Sequence, residues 1–211
     1  MKRIFDFLLA LVGITISFPL WVFLGFLVLL EDGFPVFYGQ DRVGKDGKIF
    51  RSLKFRSMHF SAEKGIGPIQ AKEDDARISK TGRILRITAL DELPQLWNIL
   101  KGDMSFVGPR ALRPVEKDAG ESEPKGVWEF EGFGERSKVR PGLTGIAQIL
   151  ASRDIPRGQK FRYDIWYVNN QSFWLDIRLI TLSFIITFKG NWEERGGKLA
   201  QKILRNLAKK I

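Results

Sequence analysis

Residues 7–30, FLLALVGITISFPLWVFLGFLVLL, run for 24 positions without a charged side chain. As one helix the run extends about 36 Å, enough to cross a hydrocarbon core of roughly 30 Å. A buried helix of a soluble protein is the weaker reading. A cleavable signal peptide is disfavoured too, because the run is longer than a secretory apolar core and residues 21–30 offer no small-residue cleavage pattern. Whether the helix spans is a separate question. Lys2 and Arg3 precede it, and Arg42, Lys45, Lys48, Arg51, Lys54 and Arg56 come soon after it. The positive-inside rule puts both flanks on the cytoplasmic side, which a helix that enters and turns back satisfies and one straight span does not. Pro19, with Ser17 and Phe18 just before it, removes an amide donor near the middle, where such a break is needed. The residues therefore favour a re-entrant helix broken at Ser17 and Pro19, with a simple transmembrane anchor as the alternative. Asp6, at the mouth, is expected to meet a head-group-level base or to cap the helix start, and Lys2 and Arg3 to contact lipid phosphate.

The whole chain has 211 residues, room for one core and an appendage. We divide it into a membrane helix, 1–32, and a cytosolic, membrane-associated domain, 33–211. The expected fold is mixed α/β, mainly helical, with small strand elements and interfacial helices. Short strands are expected across 34–58 around a turn at 44–47, then a charged polar loop at 61–76 and a basic amphipathic helix or turn at 77–86. Residues 88–100 form the best soluble helix candidate, ended by Gly102, and FVGPR at 106–110 reads as a strand and turn. The segment 111–137 is read as irregular structure with short helices, and 139–150 as a loop leading into a strand or helix start. The apolar run 179–188 suits either a core element or one lying in the membrane interface, and 192–211 ends in a basic amphipathic segment.

Cysteine is absent and His59 is the only histidine, which excludes disulfide scaffolding, thiolate catalysis and multi-histidine metal sites. A formal charge of +10 predicts attraction to phosphates of nucleic acid, anionic lipid or a nucleotide. Thr88 is expected to cap a helix with Asp91 at the reciprocal position, placing Asp91 and Glu92 in a first turn whose free amides favour ionised carboxylates. An anionic Asp91 is a candidate nucleophile or cation ligand. The plain alternative is a capping box that does no chemistry. Arg86, Arg110 and Arg153 offer planar forks matched to phosphate oxygens, and their convergence on the two acids would make a phosphoryl-transfer site with a divalent cation. Lys54 and Arg56 are candidate phosphate contacts, or else solvate a strand edge. His59 reads as a surface or hydrogen-bonded residue rather than a general base.

The stretch RITALDELPQLWNILKGDMSFVGPR, with DRVGKDGKIFRSLKFRSM upstream and KVRPGLTGIAQ downstream, resembles the bacterial sugar transferase family, the monotopic polyprenyl-phosphate phosphoglycosyl transferases. The likeness runs on to YDIWYVNNQSFWLDIRLI, covering most of the chain. The resemblance implies transfer of a sugar 1-phosphate from a nucleotide diphosphate sugar, with uridine as the nucleotide, to polyprenyl phosphate, releasing UMP. It implies that Asp91 forms a covalent phosphosugar intermediate, that Glu92 assists proton transfer from the acceptor, and that magnesium associates with Asp91. It places Arg86 and Arg110 in the active-site surroundings and Arg153 at a further anion site. It further implies a re-entrant helix in the bacterial inner membrane with the domain facing the cytoplasm. The chain departs from the family pattern at Ser17-Phe18-Pro19, where serine and proline are usually adjacent. It departs again after Arg110, where an immediate proline is replaced by Ala-Leu-Arg-Pro, and at 149–154, where Asn-Gly-Arg is frequent. The expected partners are the nucleotide sugar, polyprenyl phosphate and membrane lipid; nucleic acid is not expected, since no zinc-finger, RNP or helix-turn-helix pattern accompanies the charge. A homodimer, the sugar and the pathway stay open. The rival reading is a membrane-tethered scaffold or anionic-polymer binding module without catalysis.

Overall fold

The computed structural model describes residues 1–59, 75–116, 123–151 and 155–188. Its first element, α1 (Lys2–Asp32), carries Pro19 within it and is long and apolar enough to cross a membrane. The hydroxyls of Thr15 and Ser17 donate back to Leu11 O and Gly13 O, at 2.9 and 2.6 Å, in the turns before the proline.

One face of α1 is buried against the rest of the protein and the other is bare. Ala10 packs with Leu96, Ile99 and Met104, while Leu24 and Val28 pack with Phe55 and Leu85. Outward, Ile4, Leu8, Val12, Ile16, Phe23 and Leu30 are all exposed. The small residues decide which face packs: Ala10 is fully buried, and a Cβ on Gly13 would lie 3.4 Å from Leu96 Cδ1.

Both ends of α1 are gripped by polar contacts. Lys2 Nζ lies 2.6 Å from Asp176 Oδ2, and the Arg3 guanidinium donates to Ile99 O and Leu100 O at 2.5 and 2.6 Å. Asp6 is 2% exposed and accepts from Ser105 Oγ and the Phe106 amide, at 2.9 and 3.2 Å. The expectation for Asp6 is corrected, since it accepts from Ser105 and Phe106, and Lys2 and Arg3 meet protein acceptors, because the N-terminal end of the helix lies against residues 99–106. At the other end, Glu31 accepts from the Lys80 and Thr81 amides, both at 2.7 Å, and Asp32 Oδ1 lies 2.6 Å from His59 Nδ1.

The expected strands are present. β1 (Phe37–Val43) and β2 (Ile49–Phe55) form an antiparallel hairpin with Phe37 opposite Phe55. After α2 (Lys80–Ile87), the stretch 88–100 is not one helix. A 3-10 turn, Leu90–Glu92, is followed by α3 (Gln95–Lys101), which starts after Pro94. β3 (Ser105–Val107) then runs towards the Gly108-Pro109-Arg110 turn. Within 111–137 a strand pair adds to what was expected: β4 (Val115–Glu116) pairs with β5 (Lys125–Gly126), and the short helix α4 (Phe133–Arg136) comes next, as read from the sequence.

β6 (Gly142–Thr144) pairs in parallel with β3 and leads into the short α5 (Ile146–Leu150). Here glycine is obligatory on steric grounds: a Cβ on Gly142 would stand 2.1 Å from the Gly108 amide nitrogen. Two helices, α6 (Arg157–Asn170) and α7 (Phe173–Phe188), complete the described chain. Val107, Ile149, Tyr167, Leu179 and Leu182 share one core, so one face of the 179–188 run packs into the core, while Phe184 is left exposed. Most of the 61–76 loop, Arg153 and the amphipathic tail lie outside the described residues.

Candidate active site

Asp91 and Glu92 sit on the 3-10 turn between α2 and α3. Thr88 closes α2 instead of opening a new helix: its amide donates to Ile84 O at 3.0 Å and its hydroxyl to the same carbonyl at 2.7 Å. The expected Thr88–Asp91 capping box is thereby corrected, because the threonine is committed to the preceding helix. Ala89 next takes a left-handed conformation, φ 56° and ψ 17°, which reverses the chain and delivers the acidic pair to β2. Pro94 precedes α3, where a missing amide is harmless at a helix start.

Lys54, on β2, joins the two acids. Its Nζ lies 3.2 Å from Asp91 Oδ2 and 2.6 Å from Glu92 Oε1. Asp91 is 7% exposed. Burial pushes its carboxyl above the ordinary range, Glu92 adds to that, and Lys54 and Arg86 oppose it. The turn thus presents a desolvated carboxyl group whose cationic neighbours partly offset the cost of burying its charge.

The strand that carries Lys54 is fixed from α3. Asn98 is 1% exposed; its Nδ2 donates to Arg51 O at 2.8 Å, and its Oδ1 accepts from the Leu53 amide at 3.0 Å. The side chain therefore pairs with the strand edge as a neighbouring strand would, immediately before Lys54. Sequence reasoning missed Asn98, although a polar residue between Leu96 and Ile99, both buried, is a signal that a partner must exist.

Arg86 is brought to the site through α2. A Cβ on Gly82 would stand 2.0 Å from Ser57 O, so only glycine lets α2 lie this close to the end of the hairpin. One turn later, Arg86 Nε donates to Ser57 Oγ at 2.9 Å, with Asp91 close enough to favour the charged guanidinium while burial disfavours it.

The other expected anion-binding residues are placed differently. Arg56 is buried, and its Nη2 donates to Asp32 O and Gly33 O at 2.8 and 2.7 Å, so that edge caps the C-terminal end of α1. That edge therefore has a helix-end role. The Arg110 side chain is exposed and makes no hydrogen bond or ion pair with Asp91 or Glu92. Its main chain is held firmly: Arg110 O accepts from Arg136 Nη2 at 2.7 Å, Ala111 O from Arg42 Nη1 at 3.1 Å, and Leu112 O from the Val43 amide at 2.8 Å. Arg136 is itself buried, with its Nε 2.9 Å from Asp164 Oδ2 and its guanidinium carbon 4.5 Å from the Phe161 ring centre. In the sequence, Arg136 and Asp164 each stand as one charge among many, with no local pattern to single them out. His59 pairs with Asp32 as a hydrogen-bonded surface residue.

Among the described residues no group of three or more His, Asp or Glu side chains gathers to hold a metal. Magnesium is usually held by one or two carboxylates together with substrate phosphates and water. Asp91 and Glu92 provide two hard oxygen donors of the required kind.

A family model described as bacterial sugar transferase matches residues 1–190. A UDP-galactose-lipid carrier transferase of Erwinia amylovora is 36% identical over 205 residues, covering 90% of this chain and 40% of its own. An undecaprenyl-phosphate galactose phosphotransferase of Salmonella typhimurium is 36% identical over 194 residues, 85% of this chain and 39% of its own. A UDP-N-acetylgalactosamine-undecaprenyl-phosphate N-acetylgalactosaminephosphotransferase of Aeromonas hydrophila is 37% identical over 192 residues, 88% of this chain and 44% of its own. The chain spans about two fifths of the length of these relatives.

Proposed function

The chain belongs to the bacterial sugar transferase family, and from that premise we propose that it transfers a sugar 1-phosphate from a UDP-sugar to polyprenyl phosphate at the cytoplasmic face of the bacterial inner membrane. The observation that carries the reading is the buried Asp91 held beside Glu92 by Lys54, on a turn packed under the apolar helix.

In the first exchange, an Asp91 carboxylate oxygen attacks the phosphorus bearing the sugar. The bond from that phosphorus to the oxygen bridging to the uridine phosphate breaks, and UMP departs with the electron pair. In the second, an oxygen of polyprenyl phosphate attacks the same phosphorus and Asp91 leaves as a free carboxylate. Glu92 takes the acceptor's proton where the monoanion is bound. Lys54 and Arg86 offset the charge that collects on the non-bridging oxygens. Magnesium, held by Asp91 with Glu92, would supply further neutralisation of the diphosphate.

The packing of α1 supports a re-entrant placement. A straight 31-residue helix extends about 46 Å, and in a simple crossing its ends would lie on opposite sides of the bilayer. Yet the same domain holds Lys2, Arg3 and Asp6 at one end and Glu31 and Asp32 at the other. These contacts from one domain to both flanks support placing the flanks on one side, with the exposed apolar face turned to lipid.

The testing experiment is a panel of UDP-sugars with polyprenyl phosphate and magnesium, read as UMP release. The expected result is release with one or a few sugars, lost in Asp91→Asn. Turnover retained in that variant would refute the assignment.

A further inference from the structure

The resting charge of the site suggests how a cation is admitted. Lys54 Nζ lies 3.2 Å from Asp91 Oδ2 and 2.6 Å from Glu92 Oε1, and Arg86 is close enough to act on Asp91 electrostatically. Before substrate arrives these two cationic side chains offset the pull of the acids on a divalent ion. A nucleotide diphosphate adds two negative charges, which one divalent cation balances. Lys54 Nζ already engages oxygens of both acids, the groups a cation would use. The strand behind it is pinned at Arg51 and Leu53 by Asn98, so the ammonium is delivered by built structure. Its four-carbon stem is nevertheless able to redirect the charge towards a phosphate once one arrives.

We infer that Lys54 and the divalent cation compete for the Asp91–Glu92 pair, Lys54 serving as the internal counter-ion of the pair before substrate binds, so that the cation enters with the nucleotide sugar and not ahead of it. The inference rests on the reading of that pair as the cation-holding carboxylates. It assigns Lys54 a role in the order of binding, in addition to phosphate neutralisation.

Competition of this kind is a coupling free energy, and removing one competitor tightens binding of the other. The probe is Mn2+ binding to the full-length, detergent-solubilised protein without nucleotide, followed by electron paramagnetic resonance of the free ion. The neutral variants Lys54→Met and Lys54→Gln are expected to bind Mn2+ about tenfold more tightly than the unsubstituted protein. Lys54→Arg, which keeps the charge, is expected to stay near it. Adding Asp91→Asn to Lys54→Met should abolish the gain, and UDP should tighten Mn2+ binding more in the unsubstituted protein than in Lys54→Met. Thermal melting identifies which neutral variant is folded, and either one suffices for the comparison. Neutral variants that bind Mn2+ no more tightly, or a gain that survives Asp91→Asn, would overturn the inference. Failure of the unsubstituted protein to release UMP from any UDP-sugar would instead count against the function itself, which the Mn2+ measurement does not require.

Discussion

At Gly82 a single hydrogen stands where any side chain would strike Ser57 O, and the consequence reaches Arg86 one helical turn away. Gly82→Ala must push α2 off the hairpin. Overpacking of this kind costs about 1–3 kcal/mol, so melting should fall by several degrees and UMP release with it, as the Arg86–Ser57 hydrogen bond is lost. A melting point unchanged within a degree would mean that α2 is not held at this contact. Arg136→Met probes a different residue. It leaves Asp164 buried without its cation, a change expected to cost about 3–5 kcal/mol and read by thermal melting; a stability matching the unsubstituted protein would show the pair to be dispensable. The acidic pair is legible in sequence as a pair, because Asp91 and Glu92 are adjacent and preceded by a residue that often caps helices. How they are presented is not. Thr88 satisfies the capping pattern equally well at the end of one helix or the start of the next, and only the left-handed Ala89 decides between them. A positive φ at alanine has no signature in composition. Lys54 reads from sequence as a phosphate contact, but its partnership with both acids depends on Asn98 and on hairpin register, which no local pattern encodes.

Among the elements, α1 is the easiest to find in the sequence and the hardest to orient. A helix apolar on every side carries little information about its packed face. The structure uses the small side chains, Ala10 and Gly13, for close approach to α3, and the polar ones, Asp6 and Arg3, as fixed points. Ala10→Leu is accordingly expected to lift α1 from α3 and lower the melting temperature by an amount corresponding to about 1–3 kcal/mol. Leu8→Ala, on the bare face, should leave folding in detergent nearly unchanged. Equal effects from the two substitutions would contradict the assigned faces. The division at residue 32 reflects composition, whereas the cores containing Ala10, Leu24 and Val28 are shared between α1 and the hairpin, α2 and α3.

Across the whole molecule, the proposed reaction requires an insoluble acceptor and a soluble donor to meet at one surface. In the proposed re-entrant arrangement, the apolar helix laid against the domain along its length would put Asp91 at that surface without sending either end of the helix across the membrane. Reporters fused before Lys2 and after Asp32 should both face the cytoplasm; opposite placement would contradict the re-entrant arrangement while leaving the chemistry open. The family resemblance carries the reaction class, since its motifs extend along most of the chain, whereas the +10 charge is compatible with several phosphate-bearing partners. The central claim is that Asp91 becomes covalently linked to the sugar phosphate. Its most direct measurement is mass spectrometry of the Asp91 peptide after brief incubation with the UDP-sugar that turns over, magnesium present and polyprenyl phosphate withheld. The expected result is a peptide heavier by one sugar phosphate, removed by adding polyprenyl phosphate and missing in Asp91→Asn. An unmodified Asp91 peptide under conditions where UMP has been released in amounts equal to enzyme would contradict it.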